Sequence, residues 1–251
     1  MKSLIKYGLL IAIGFVAIGC SKETVEASRV GVHNKVQLWE GGPYWADTNI
    51  GAERPWDYGC YFWWGDTVGY KRKKETWVAS DGSSTNFSFI KDNIPTQGKD
   101  ISTLRREGWI TPAAVLAPEH DAAQVLWGGG WRMPTEQELE GLVKKCDWIR
   151  TRKRGVNGYL VRGRGVYAAY SIFLPAAGFG DETSLKNVGS DGMYWSSVPG
   201  ADSSYTWDLH FISSFPGTYH SFYRFLGYPV RPVQGAPLES DAKDERNRTR
   251  N

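Results

Sequence analysis

The sequence predicts an α+β domain built from few helices and many short strands. Its composition supports this class, because 29 Gly and 14% aromatic residues are typical of tight turns and of a core built from rings. One segment has the apolar period of a helix, and a second shows a weaker version of it. Most other apolar segments are short and are bounded by turn residues, as strands are.

The strongest helix signal lies over residues 134–145. Thr135 and Glu138 fit a capping box, in which the threonine caps backbone N–H groups and the glutamate reaches back to the start of the helix. Apolar side chains then recur at the spacing of one helix face, at Leu139, Leu142, Val143 and Cys146. A shorter helix is predicted over residues 121–126, before the three glycines at 128–130.

The remaining apolar segments favour strands. They are residues 36–40, 44–49, 159–161, 171–174, 194–197, 207–212 and 229–232. No repeat of fixed period is present, which disfavours a solenoid or a propeller.

The first twenty residues have the layout of an export signal. Lys2 and Lys6 form a positive start, an apolar stretch covers residues 9–18, and small residues precede Cys20. Residues 17–20, Ala-Ile-Gly-Cys, resemble a bacterial lipobox with alanine where leucine is usual. The resemblance implies cleavage before Cys20 and lipid on its thiol, which anchors a protein in a membrane. The alternative is ordinary secretion with a fortuitous cysteine.

The chain divides into four predicted segments. Residues 1–19 are the signal peptide, 20–35 the lipidated cysteine and a flexible tether, 36–235 one globular domain, and 236–251 a disordered charged tail. No later run approaches 18 apolar residues, so a second membrane segment is not expected. The absence of an aspartate directly after Cys20 favours the outer membrane of a cell envelope. The net charge of +3 is too small to indicate a nucleic-acid partner.

Several blocks of the predicted domain resemble the Fibrobacter succinogenes major paralogous domain family. They occur in family order at residues 44–52, 58–65, 121–123, 127–135, 172–178, 194–197 and 230–233. That family is similar to C-type-lectin-like domains and to formylglycine-generating enzymes, whose Arg-Leu-Pro-Thr-Glu block resembles Arg132-Met-Pro-Thr-Glu136. The resemblance implies a C-type-lectin-like fold, with two helices beside a small, twisted, mixed sheet and long ordered loops.

The sequence shows no catalytic set, and we expect neither a metal nor a cofactor. A formylglycine-generating enzyme uses a pair of cysteines near its C-terminus, whereas no cysteine follows Cys146 here. The triplets of calcium-dependent sugar-binding lectins are absent. The histidines stand apart without metal-ligand spacing, at His33, His120, His210 and His220. Cys60 and Cys146 could form a disulfide in an exported compartment. Alternatively, Cys146 is a small apolar residue on its helix face.

The C-terminal stretch indicates a ligand-binding surface. Residues 208–233 lack Lys, Glu, Gln, Met and Trp, and residues 217–230 are all reachable by randomising the first two bases of an Asn codon. The stretch resembles the variable end of C-type-lectin-like proteins that retroelements diversify. Tyr, Phe, Ser and His suit such a surface, since rings give contact area at low entropic cost. The predicted ligand-facing residues are Tyr205, Asp208, His210, Phe215, Tyr219, His220, Phe222, Tyr223, Phe225 and Tyr228. The alternative is that several of them are ordinary core aromatics of a strand.

These observations support three hypotheses about function. The first is a lipid-anchored, non-enzymatic binding protein of the cell envelope, whose ligand is an unknown protein or glycan. The second is a structural or assembly component of the envelope, and the third is an enzyme like those that generate formylglycine. Basic clusters at residues 71–74 and 144–164 either attract anionic glycans or lipid headgroups or form a solvated face.

Overall fold

The structure is a computed structural model that describes residues 33–212 and 216–235. The predicted signal peptide, Cys20, Phe215 and the tail at 236–251 lie outside these ranges, and for residues 220–222 only the backbone is described. No helix within the described ranges is long and apolar enough to cross a membrane.

Short strands account for most of the regular structure. They are β1 (Lys35–Gln37), β2 (Tyr44–Ala46), β3 (Tyr70–Lys73), β4 (Thr76–Ala79), β5 (Trp131–Arg132), β6 (Asp147–Lys153), β7 (Val156–Arg162), β8 (Ser171–Pro175), β9 (Phe179–Asp181), β10 (Ser184–Lys186), β11 (Gly192–Pro199), β12 (Tyr205–Phe211), β13 (Pro216–Tyr223) and β14 (Val233–Gln234). Their sheets have the orders β1-β2-β14-β5, β3-β4, β6-β7-β8, β10-β9 and β11-β12-β13.

Three short α-helices lie within the described ranges: α1 (Ile101–Arg106), α2 (Ala122–Trp127) and α3 (Glu136–Lys145). Helix α3 confirms the predicted helix, including both hydrogen bonds of the capping box between Thr135 and Glu138. Helix α2 confirms the shorter one, and the Asp121 carboxylate caps it by accepting the N–H groups of Ala123 and Gln124. Single 3₁₀ turns cover Lys91–Asn93, Pro118–His120 and Gly165–Tyr167.

The predicted C-type-lectin-like α+β fold is wrong. The described chain is mainly β, and its helices are short. All pairings between its named strands are antiparallel, so they form no mixed sheet. Tight local turns explain the difference: between β6 and β7, Arg154 and Gly155 both have positive φ, 51° and 89°. Such two-residue turns return the chain beside the strand it has just left, which produces antiparallel pairs.

The predicted strand at residues 229–232 is also absent, because the strand there begins only at Val233. Pro229 and Pro232 lack the N–H groups that a ladder needs. Strand β1 begins at Lys35, the last residue of the predicted tether.

Buried side chains form three clusters in this part of the chain. The first contains Trp64, Trp195 and Tyr228, the second Trp45, Leu142 and Phe211, and the third Tyr61, Trp77 and Phe89. Strand β11 contributes to both of the first two, because successive side chains of a strand point to opposite faces. Met193 and Trp195 belong to the first cluster, and Tyr194 belongs to the second. Strand β11 therefore has core on both of its faces.

The block that resembles formylglycine-generating enzymes joins β5 to α3 through a buried ion pair. Arg132 Nη1 donates to Glu138 Oε2 at 2.7 Å, and Arg132 Nη2 donates to Oε1 at 2.5 Å. The Glu138 side chain is 0% exposed and that of Arg132 is 12% exposed. The Thr135 N–H donates to the same carboxylate at 2.9 Å. These contacts give the block a structural role.

Arg231 is fully buried and is bound by uncharged acceptors. Its Nε donates to Asn49 Oδ1 at 2.8 Å, Nη1 to Ala46 O at 3.2 Å, and Nη2 to Phe173 O at 2.9 Å. Burial lowers the pKa of Arg231 to about 10. The guanidinium thus ties the segment after β2 to β8.

The suggested disulfide is not formed. Cys60 and Cys146 are both free and buried, and they lie in the first and second core clusters respectively. Burial raises the pKa of the Cys146 thiol to about 12, so the thiol is neutral at physiological pH. Cys146 therefore matches the alternative, a small apolar residue that packs at the end of α3.

Candidate ligand-binding surface

The predicted ligand-facing residues are concentrated on the antiparallel hairpin of β12 and β13. Tyr205 lies opposite Tyr223, Asp208 opposite Tyr219, and His210 opposite Gly217. The register shifts between Thr206 and Asp208. Such a bulge locally increases strand twist, so simple alternation does not predict which side chains face outward.

One group of three neighbouring rings lies at the end of this hairpin, and we call it the Tyr205 group: Tyr205, Tyr223 and Phe225. The ring centroids of Tyr205 and Tyr223 are 5.0 Å apart, and those of Tyr223 and Phe225 are stacked at 5.2 Å. Tyr223 is 43% exposed, while Tyr205 and Phe225 are partly buried. A hydrogen bond with Tyr223 is the largest cause that raises the pKa of Tyr205.

Arg224 holds the backbone beneath the Tyr205 group. It is fully buried, and its guanidinium donates to the carbonyl oxygens of Tyr205 at 3.1 Å, Thr96 at 2.9 Å and Lys99 at 2.7 Å. Burial lowers the pKa of Arg224 to about 10. Because Arg224 fixes the backbone between the exposed Tyr223 and Phe225, which packs against the first core cluster, the Tyr205 group is held in place before any ligand arrives.

A second aromatic pair occupies the same hairpin. The rings of His210 and Tyr219 meet edge to face at 5.6 Å, and Tyr219 is 43% exposed. A Cβ at Gly217 would lie 2.9 Å from the Tyr219 ring, so a larger residue there would displace this ring. Burial lowers the pKa of His210, although the Asp191 carboxylate at 3.9 Å opposes that shift.

Two predicted ligand-facing residues belong to the core instead. Tyr228 is 0% exposed and stacks on Trp195 at 3.9 Å. Asp208 is also 0% exposed and lies opposite Trp195 in the β11-β12 ladder. The prediction was wrong for both residues, because Tyr228 packs within the first core cluster and Asp208 is buried in the middle strand of the β11-β12-β13 sheet.

The other predicted positions are described only in part. His220 and Phe222 lie in β13, where only their backbone is described, and Phe215 lies outside the described residues. The predicted residues that contact one another in the structure therefore form two clusters. One is the Tyr205 group, and the other is the His210–Tyr219 pair.

Asp208 leads to a prediction about pH. Burial raises its pKa well above the usual value, and neither carboxylate oxygen has a hydrogen-bond partner among the described residues. Burial favours the neutral form of Asp208 in the folded protein, whereas the carboxyl group of the unfolded chain releases its proton near pH 3.9. The contribution of neutral Asp208 to the free energy of unfolding is thus fully present below about pH 4. It is lost as the pH rises through the pKa that Asp208 has in the folded protein.

We expect Asp208→Asn to raise the free energy of unfolding at pH 7 by about 1–3 kcal/mol and to change it little at pH 4. Urea denaturation at the two pH values measures the difference. Asp202→Asn, at an exposed position, is the control and should show no such dependence on pH. Equal effects of Asp208→Asn at both pH values would contradict the prediction.

The two basic clusters lie on hairpins and are partly paired within the protein. Residues 71–74 belong to β3 and its turn, and residues 144–164 cover the end of α3 together with β6 and β7. Arg164 Nε donates to Asp147 at 2.8 Å, and Lys144 donates to Glu140 at 2.6 Å. Across residues 33–212 and 216–235, no group of three or more His, Cys, Asp and Glu side chains could hold a metal ion.

Comparison with known proteins identifies one similarity. No match to the chain was found among curated proteins or among solved structures. Residues 148–233 match a family described as Domain of unknown function (DUF8237). The match begins in β6 and ends at the first residue of β14, so it spans the whole β11-β12-β13 sheet. Over this C-terminal part, which includes the Tyr205 group, the chain is similar to that family.

Proposed function

We propose that this protein is a non-enzymatic binding protein of the bacterial cell envelope, anchored through lipid on Cys20. The Tyr205 group is the centre of its ligand-binding surface. This group is the observation that carries the proposal: partly exposed rings in mutual contact, on a hairpin whose backbone the buried Arg224 holds. Aromatic side chains supply large contact areas and lose little conformational entropy when they bind.

The ligand is a protein or a glycan. Ring faces pack against the apolar surfaces of both classes, and the hydroxyl groups of Tyr205, Tyr219 and Tyr223 add hydrogen-bonding capacity. His210 supplies a further polar group beside Tyr219. A surface of this kind needs no metal.

Binding by the full chain tests the role of the Tyr205 group. A glycan array and an envelope-protein pull-down identify the ligand, and calorimetry then compares variants. We expect Tyr223→Ala to weaken binding by at least about tenfold, as is usual for a central aromatic anchor. The matched control is Tyr170→Ala, because Tyr170 is 53% exposed and lies outside the hairpin. Equal affinities of the two variants, or no ligand in either screen, would remove the proposal.

Metabolic labelling with a fatty acid tests the anchor separately. We expect the wild-type protein to carry the label and to fractionate with membranes, and Cys20→Ser to lose both properties. Label retained by Cys20→Ser would place the lipid elsewhere, and an unlabelled wild-type protein would remove the envelope anchor.

Diversification of the C-terminal stretch leads to a prediction about sibling genes. We expect substitutions among sibling isolates to concentrate between residues 205 and 229, at Asn-derived codons. Within that stretch they should fall on exposed positions such as Tyr219 and Tyr223 and spare the buried Asp208 and Tyr228, because core changes destabilise the fold. Sequencing sibling genes measures this distribution, and changes scattered along the chain would contradict it.

A further inference from the structure

A groove of about 410 Å³ opens beside β3, within the size range of small-molecule sites. Three parts of the chain line it: the loop that follows β2, strand β3 and strand β10. The loop supplies two acids, Glu53 and Asp57, and β3 supplies two bases, Lys71 and Arg72. The apolar lining consists of the rings of Tyr58 and Tyr61 with the side chain of Leu185.

The loop that carries the acids is held from the core. Asn49 Oδ1 accepts from Arg231, and Asn49 Nδ2 donates to Tyr58 O at 2.9 Å. The Cys60 N–H donates to Ile50 O at 2.8 Å. These bonds position the loop before any ligand binds, which lowers the entropic cost of binding.

The basic side of the groove has unused binding capacity. Arg72 Nη2 reaches Glu75 only at 3.5 Å, whereas Nη1 is enclosed by the protein and Cζ lies 5.8 Å from the centre of the Trp77 ring. Lys71 forms no ion pair within the described ranges. The contact of Nη2 with Glu75 is long, so this side of the guanidinium has capacity for a second carboxylate, the acceptor that matches its geometry.

The acidic side is open as well. Asp57 Oδ2 accepts the Arg54 N–H at 3.1 Å and lies 3.6 Å from Arg54 Nε, a partly exposed ion pair that leaves Oδ1 for a ligand. Glu53 is exposed and forms no ion pair in the described part of the chain. The Tyr61 hydroxyl already donates to Ala177 O at 2.6 Å, so Tyr61 offers the groove mainly its ring.

We propose that this groove binds a small zwitterion, an amino acid or short peptide with free ends. Its carboxylate lies against Arg72 and Lys71, its ammonium group against Glu53 and Asp57, and its apolar part against Tyr58 and Leu185. Opposite charges on separate chain segments, with an apolar lining that they share, match this class of ligand and disfavour a simple anion or cation. The site is independent of the Tyr205 group.

Titration calorimetry on the full chain tests the proposal with L-leucine, Leu-Leu, N-acetyl-Leu-Leu and Leu-Leu-amide. We expect at least one compound with both ends free to bind. Comparing the affinities of L-leucine and Leu-Leu shows which ligand length fits the groove. Blocking either end of Leu-Leu should weaken its binding at least tenfold if the dipeptide is the better ligand. If L-leucine is better, N-acetyl-leucine and leucinamide are the matching blocked forms.

Variants identify the partner of each ligand end. In Arg72→Gln, the ligand with a free carboxylate and the ligand with an amide in its place should bind with equal affinity. In Glu53→Gln, the ligand with a free amine and its acetylated form should bind with equal affinity. Lys73→Gln, on the same strand but outside the groove lining, is the control and should leave both differences in affinity unchanged. Glu53 is exposed, so its variant stays informative even if Arg72→Gln unfolds the hairpin. No binding of any free-ended compound, or equal affinities of free and blocked forms, overturns the proposal.

Discussion

Replacing Glu138 by alanine is expected to lower the free energy of unfolding by about 3–5 kcal/mol. The substitution leaves the Arg132 guanidinium without its carboxylate in a site that is 12% exposed. It also removes the acceptor for the Thr135 N–H and so opens the capping box of α3. Loss of one partner from a buried ion pair is costly, since the remaining charge stays desolvated.

The same helix provides the control for this experiment. Glu140 pairs with Lys144 at 2.6 Å, but its side chain is 41% exposed. Glu140→Ala should therefore cost less than about 1 kcal/mol, as exposed ion pairs do. Chemical denaturation of both variants measures the difference. Similar losses for Glu138→Ala and Glu140→Ala would show that the buried pair is not the main contribution.

Arg231→Met is expected to lower the free energy of unfolding by about 3 kcal/mol or more. Three buried acceptors lose their donor, on Asn49, Ala46 and Phe173, and each unsatisfied group costs about 1–3 kcal/mol. Methionine keeps an unbranched apolar stem but is two atoms shorter than arginine, so the loss combines the missing hydrogen bonds with a small cavity.

The matched control is Arg162→Met, because Arg162 is 44% exposed and meets Asp147 only at 3.5 Å. It should change stability by less than about 1 kcal/mol. Hydrogen exchange adds a local measurement, since Asn49 links Arg231 to the loop that carries the acids of the groove. The Cys60 amide should exchange faster in Arg231→Met, and unchanged exchange would show that the loop is held by other contacts.

Local features of the fold were predictable from the sequence, whereas its sheets were not. The capping residues and apolar stripe of α3 act within one helix, so sequence spacing identifies them. The block at residues 132–136 that resembles formylglycine-generating enzymes is likewise local, since it forms the junction between β5 and α3. How the strands pair depends on turn conformations such as the positive φ of Arg154, an unusual value for a residue other than glycine. The prediction of a mixed sheet was therefore wrong, even though most strand segments were identified.

The candidate surface was only partly predictable for a related reason. Aromatic content identified the hairpin, but it did not show which rings face outward. Asp208 in the middle strand β12 and Tyr228 in the segment after β13 are buried, whereas Tyr223 at the end of the outer strand β13 is exposed. The roles of Arg224 and Arg231 were not predicted from the sequence. Each of them lies between apolar neighbours, a pattern that could have indicated an arginine bound by backbone carbonyls inside the core.

The position of β14 has a consequence for synthesis. Strand β14 lies between β2 and β5, and Lys35 Nζ donates to Gln234 Oε1 across a separation of 199 residues. A ribosome releases the first strands long before the strand that completes their sheet. A chain that stops short of Val233 cannot close this sheet and keeps open strand edges that proteases and chaperones recognise. Closure of this domain therefore depends on nearly its full length having been made.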